Sequence, residues 1–218
     1  MYKLTDEQLE MQQMFRDFAE KEVAPIAIEI DEEHKFPEEN VAKMQDLGFF
    51  GIPFDEDNGG IGLDTLTYVL CVEELSKVCA STGVIVSAHT SLGADCINKF
   101  GNEEQKEKFL TPLASGEKLG AFALTEPDAG TDASGQKTIA VKDGDEYVLN
   151  GSKIFITNAG YADTYVVFAM TDKEAGTKGI SAFIVEKGTP GFDFGAVEDK
   201  MGIKASSTME LVFRDCRI

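Results

Sequence analysis

The chain has 218 residues, 43% of them hydrophobic, and Asp and Glu outnumber Lys and Arg by 39 to 20, for a formal net charge of −19. That length can bury a real core and hold one large or two small domains. Such an acidic surface repels phosphate backbones and anionic lipid, which argues against nucleic-acid and membrane partners. There is no apolar run of membrane-spanning length, and the opening MYKLTDEQLE lacks the apolar core of a leader, which predicts a cytoplasmic protein. Cys71, Cys79, Cys96 and Cys216 are widely spaced without a CxxC and read as reduced core thiols. His34 and His89 stand far apart, and no metal site is expected.

Residues 1–118 read as helices. Thr5 with Gln8 forms a capping box, after which Met11, Met14, Phe15 and Phe18 recur on one helical face. Pro37 opens a second helix carrying Val41, Met44 and Leu47, and Gly48 stands where a terminating glycine belongs. GFFGIPFDEDNGGIGLD is a glycine-rich loop. LTYVLCVEELSKV and TGVIVSAHTSLGADCINKF are apolar on more than one side, as central helices are, and Asn102 with Gln105 caps one more helix ending near Ser115-Gly116.

From 119 to 218 the texture is that of strands. Asp143-Gly144 and Asn150-Gly151 both carry hairpin signals, predicting KTIAVK, DEYVLN and SKIFITN as consecutive antiparallel strands with Lys142 facing Asp145. DTYVVFAM, GISAFIVEK, FDFGAV and TMELVFRD extend the series. The expected fold is a multidomain one, a helical bundle over 1–118 followed by an antiparallel β-barrel or sandwich over 119–218. The ending after a strand reads as a cut.

Between the strands LGAFALT and KTIAV lies ALTEPDAGTDASG, dense in small residues, hydroxyls and carboxylates. It is no Rossmann or P-loop site: GGIGLD lacks the third glycine at Thr65, and no GxxxxGK[ST] occurs. Gly130-Thr131 could present backbone N–H groups to an anion, Pro127 stiffens the bend, and Asp128 or Gly130 could take positive φ. On spacing alone the stretch is either a ligand-contacting loop or an ordinary connector. Phe155 and Thr157 are two apart on a strand and should share a face, either toward a planar ligand or as core residue and strand-end hydroxyl.

ALTEPDAGTDASG resembles in full the signature of the acyl-CoA dehydrogenase family. NGSKIFITNA follows at the family's usual interval, and TDEQ, NEEQKEKFLTPLASGE and DKMGIKASSTMELVFRDCRI extend the likeness over the whole chain. GISAFIVEKGTPGF looks most like the bacterial short-chain, butyryl-CoA, members. The resemblance implies FAD as cofactor, with Phe122, Leu124 and Thr125 along the flavin ring and Thr125 hydrogen-bonding near its reactive nitrogen. Gly130 and Thr131 would approach the pyrophosphate, Thr131 also the substrate's pantetheine side, while Phe155, Ile156 and Thr157 cover the ring from the other strand. Many relatives have Trp at the Phe155 position, and Asp128 stands where Gly or Asn is common, so Asp128 is expected to turn outward.

The implied reaction is α,β-dehydrogenation of a short-chain acyl-CoA to the trans-2-enoyl-CoA, with electrons passing to an electron-transfer flavoprotein and full-length relatives forming homo-oligomers, expected to be tetramers. The family's base is a glutamate in a C-terminal helical domain, which these residues do not include. No catalytic residue is assigned here: Glu126 and Asp132 read as holding the loop through hydrogen bonds, and these residues alone are expected to be inactive. The acyl tail would run against VSAHTSLGADCINKF and CVEELSKVCA, without a nameable specificity residue. The alternatives are an acyl-CoA oxidase, a related flavoprotein monooxygenase, or a non-catalytic truncated binding or structural unit.

Overall fold

The computed structural model describes residues 3–218. The chain forms two compact units: Met1–Lys118 with Asp199–Ser206, and Leu119–Glu198 with Ser207–Ile218. Residues 199–206, which the sequence reading carried with the strands, cluster with the helices, where the Lys204 N–H donates to Asp31 Oδ1 at 3.0 Å.

In the helical unit, α1 (Asp6–Phe18) starts on the Thr5/Gln8 capping box, a device worth about 1 kcal/mol. Gln8 also donates to Asp64 Oδ2 at 2.8 Å, and Asp64 caps a later helix. The chain then passes through π-helical Ala19–Val23 into α2 (Ala27–Glu32), which the sequence pattern does not announce. Helix α3 (Glu38–Asp46) follows Pro37 and closes at Gly48, whose φ is +74°. Next come α4 (Thr65–Val78), α5 (Ala80–Ser87), a π-helical stretch Ala88–Ala94 and α6 (Asp95–Phe100).

The expected apolar stripe of α1 is narrower than its spacing suggests. Phe15 and Phe18 are buried edge-on against Phe49, at 5.1 and 5.0 Å between centroids, while Met14 stays exposed. The side facing α4 is polar instead: Gln12 donates to Glu74 Oε1 at 2.9 Å, and Arg16 grips both Glu74 oxygens at 3.1 Å. Burial raises the pKa of this carboxyl, and the hydrogen bonds from Arg16 and Lys77 outweigh it, holding Glu74 below its ordinary value. Its neutral counterpart is His89, fully buried, whose Nε2–H donates to the Leu113 carbonyl at 3.2 Å.

The second unit is one curled seven-stranded sheet: β1 (Gly120–Ala123), β2 (Ile139–Asp143), β3 (Glu146–Thr157), β4 (Thr164–Met170), β5 (Ile180–Glu186), β6 (Phe192–Val197) and β7 (Thr208–Arg217). The order is β1-β4-β2-β3-β7-β6, with β5 also on β4. The sheet is mixed, since β1 and β2 both pair with β4 in parallel.

The Asp143-Gly144 hairpin forms as expected, but Lys142 lies opposite Tyr147, and Asp143 opposite Glu146. Those like charges are bridged by Arg217, at 2.7 Å to Asp143 and 3.2 Å to Glu146. Asn150-Gly151 is no hairpin. β3 runs straight through it because both sides of the dipeptide pair with β7, and a bulge falls between Leu149 and Gly151. A Cβ on Gly151 would sit 2.4 Å from Thr138 Oγ1 and 2.7 Å from its Cα, so glycine here serves close backbone approach.

Two measurements follow. Gly151→Ala, with φ at +148° and that overlap, should lower stability in urea by about 2 kcal/mol or more. Burial pushes the His89 pKa down to about 3, whereas an unfolded imidazole titrates near ~6.5. Between those values the unfolded chain binds the extra proton, so stability falls as pH drops, by about 1.4 kcal/mol per pH unit for one site. His89→Gln should flatten the plot of urea-derived unfolding free energy against pH over that window by this amount.

Candidate functional site

The signature stretch leaves β1 at Ala123 and reaches β2 at Ile139. Its hold on β3 is a set of bonds rather than a run of sheet pairing. The Thr125 carbonyl accepts from the Ile154 N–H at 2.9 Å, and the Leu124 carbonyl accepts from Lys153 Nζ at 3.0 Å. Glu126 and Ala129 exchange two backbone bonds of 3.1 Å, making a tight turn with Pro127-Asp128 at its tip. Asp128 is exposed and pairs with Lys137 at 2.6 Å. Neither Asp128 nor Gly130 takes a positive φ, contrary to the sequence reading, because the paired turn needs no left-handed residue.

Beneath the loop, Glu126 accepts from the Lys137 N–H at 2.5 Å on one oxygen, and from the Thr138 N–H at 3.0 Å and Lys153 Nζ at 2.7 Å on the other. Burial raises the Glu126 pKa, but the bonds from Lys137, Lys153 and Thr138 together hold it below the ordinary carboxylate value. Burial lowers that of Lys153, against the attraction of Glu126. Removing one partner of such a buried pair costs about 3–5 kcal/mol, because the other charge is stranded. Glu126 therefore has the loop-holding role expected of it, and Asp132, whose side chain accepts from the Ser134 N–H at 3.2 Å, serves locally in the same way. Lys153, fully buried at 0% exposure, is the residue sequence reasoning missed. Its signal was a lone cation at the head of the apolar run in SKIFITN.

Just past Lys153 the register with β7 shifts before Ile156, and Phe155 stands in the bulge with φ +60° and 58% of its surface exposed. A non-glycine residue held left-handed costs about 1–2 kcal/mol, and here it turns an aromatic ring outward. The bulge breaks strict alternation, yet burial still alternates through exposed Phe155, buried Ile156 and half-buried Thr157. Phe122 is half-buried with its ring 5.0 Å from that of Phe168, and Leu124 and Thr125 are half-buried. The structure thus brings Leu124-Thr125 beside the strand segment leading to Phe155, Ile156 and Thr157. It gives Gly130 and Thr131 no such neighbour: both are exposed, and a Cβ on Gly130 would meet nothing within 4 Å.

An aromatic ring turned out of the sheet, two hydroxyls and open backbone at Gly130 suit a planar heteroaromatic ligand with a polar tail. A cleft of about 870 Å³ in this unit lies elsewhere: Asp128, Lys137, Ser152, Asp193, Glu210 and Arg214 line it, and none of the expected cofactor residues does. The expected residues form an open wall.

Residues 5–117 match the family model for the acyl-CoA dehydrogenase N-terminal domain, and residues 121–216 that for the acyl-CoA dehydrogenase middle domain. The chain belongs to the acyl-CoA dehydrogenase family. It is 64% identical over 214 residues to the short-chain specific acyl-CoA dehydrogenase of Clostridium acetobutylicum, covering 98% of this chain and 56% of that protein. The butyryl-CoA dehydrogenase structure from Megasphaera elsdenii superposes with a TM-score of 0.97 at 54% identity, over 100% of this chain and 58% of that one. A chain in the structure of the electron transferring flavoprotein of Acidaminococcus fermentans gives 0.98 at 57% identity, over 100% and 57%. An acyl-CoA dehydrogenase complexed with FAD from Bacillus anthracis gives 0.90 at 39%, over 99% and 36%. The chain thus spans little more than half the length of the first of these relatives. Among the described residues no helix is long and apolar enough to cross a membrane.

The strained, exposed ring and its buried neighbour should respond differently to truncation. Phe155→Gly relieves the left-handed strain while losing modest burial, and should leave stability within about 1 kcal/mol of the parent. Ile156→Ala, at a site 2% exposed, should cost about 2–4 kcal/mol by urea denaturation.

Proposed function

We propose that this chain supplies the FAD-facing wall of a short-chain acyl-CoA dehydrogenase, which converts a butyryl-CoA-like thioester to the trans-2-enoyl-CoA and passes electrons to an electron-transfer flavoprotein. The observation that supports it most is the joining of Leu124-Thr125 to the Lys153-Ile154 segment, immediately before an aromatic residue presented in a strained, exposed conformation. Bound flavin would supply the acceptor for the hydride leaving the β carbon.

The chain's own residues then divide the work. Phe122 and Leu124 give apolar contact, the Thr125 hydroxyl donates toward the ring, and Phe155, Ile156 and Thr157 cover it from β3. The open backbone at Gly130 and the Thr131 hydroxyl meet the polar tail, Thr131 also meeting the pantetheine arm. The base that removes the α proton is assigned to none of these 218 residues. Glu126 is consumed by its donors and Asp132 by Ser134, so the chain by itself is inactive in this reading. The protein is further read as cytoplasmic and, at full length, a homo-oligomer.

The test is an anaerobic titration of the purified chain with FAD, followed by butyryl-CoA. Flavin absorbance that becomes structured on binding but does not bleach with butyryl-CoA is expected. Free-flavin spectra throughout would remove the cofactor reading, and bleaching would show that a base among these residues had been overlooked. Phe155→Ala should weaken FAD binding about tenfold, the loss of one stacked ring.

A further inference from the structure

Lys153 has three ammonium protons and three acceptors, the Leu124 carbonyl at 3.0 Å, Glu126 Oε1 at 2.7 Å and Gln136 Oε1 at 3.1 Å. All three lie on the one loop, at its beginning, its turn and its end. Glu126 in turn closes the loop onto the backbone of Lys137 and Thr138, and the Thr138 hydroxyl donates to the Ser152 carbonyl at 3.2 Å, beside Lys153. The next residue, Ile154, holds the Thr125 carbonyl, and the one after it is the strained Phe155.

We propose that Lys153 is the positioning residue of the ligand wall, a buried cation around which the signature loop is wrapped so that Leu124-Thr125 and Phe155-Thr157 stand at one fixed separation. Lys153 touches no ligand in this proposal; it acts through Glu126, Gln136 and the Leu124 carbonyl. The geometry explains why one strand carries both a fully buried ammonium and an exposed ring two residues later. The first fixes where the loop lies, and the second faces what the loop holds. This inference rests on the reading of the wall as an FAD site.

The experiment compares wild type, Lys153→Met and the charge-neutral pair Lys153→Met with Glu126→Gln, by far-UV circular dichroism, thermal midpoint, FAD affinity and the visible circular dichroism of bound flavin. Lys153→Met strands a buried carboxylate and should lower the thermal midpoint, whereas the paired variant should recover most of it. A purely structural ion pair would recover FAD binding along with the fold. A positioning pair would not: the paired variant should be folded yet bind FAD at least tenfold more weakly, with an altered flavin signal. Binding within twofold of wild type with an unchanged signal overturns the proposal.

Wild type offers a check that needs no variant. Bound FAD should slow hydrogen exchange at the Lys137 and Thr138 amides, which bond to Glu126 under the loop. Unchanged exchange there, with FAD bound, would also overturn it. If wild type fails to bind FAD at all, the cofactor reading fails and the positioning proposal falls with it, an outcome distinct from equal binding by wild type and the paired variant.

Discussion

The strand unit is organised around the burial of one ammonium group. A charge removed from water is tolerated only where its protons are all given to acceptors and its charge is balanced. Lys153 meets both conditions by gathering a carbonyl, a carboxylate and an amide oxygen from the loop between β1 and β2. The loop therefore has little freedom to lie elsewhere, although most of its residues belong to no strand. The same carboxylate receives backbone donors at the start of the return toward β2, so its placement follows from that one charge.

Around this point the sheet departs from regularity twice on β3, at Gly151 and at Phe155. At Gly151 the missing side chain lets the Thr138 backbone close in, and Asn150 compensates across the bulge by accepting from the Asp215 N–H at 2.9 Å and donating to its carboxylate at 3.1 Å. At Phe155 the departure is unfavourable locally and is held by pairing on both sides, to Leu211 at Lys153 and to Met209 at Ile156. Strain that neighbouring structure over-determines is commonly found where a side chain must be presented.

Much of this was legible in the sequence, and for identifiable reasons. Capping boxes at Thr5 and Asn102, the Gly48 terminus and the Asp143-Gly144 turn are local signals, and local chemistry decided each of them. Asn150-Gly151 carried an equally good local signal, but the partner of the strand on both sides of it is β7, remote in sequence, and long-range pairing overrode the turn. The parallel β1/β4 pairing was hidden for the same reason. At the wall, the family signature pointed to Thr125 and Phe155, whereas the role of Lys153 depended on three acceptors that come together only in the fold.

Among its described residues the helical unit holds three π-helical stretches, Ala19–Val23, Ala88–Ala94 and Lys106–Leu110, each continuing directly from an α-helical segment. Such a widened turn accommodates an additional residue without breaking the helix. Each one rotates every later side chain by about 100° relative to an uninterrupted helix. The span from α5 through α6 consequently holds one residue more than a regular helix would need: losing one within 88–94 would restore a regular helix and leave the α6 face, with buried Ile97, in its packing. A one-residue deletion is therefore absorbed within this stretch, whereas the same deletion in the regular turns of α5 or α6 would turn every later side chain by about 100°.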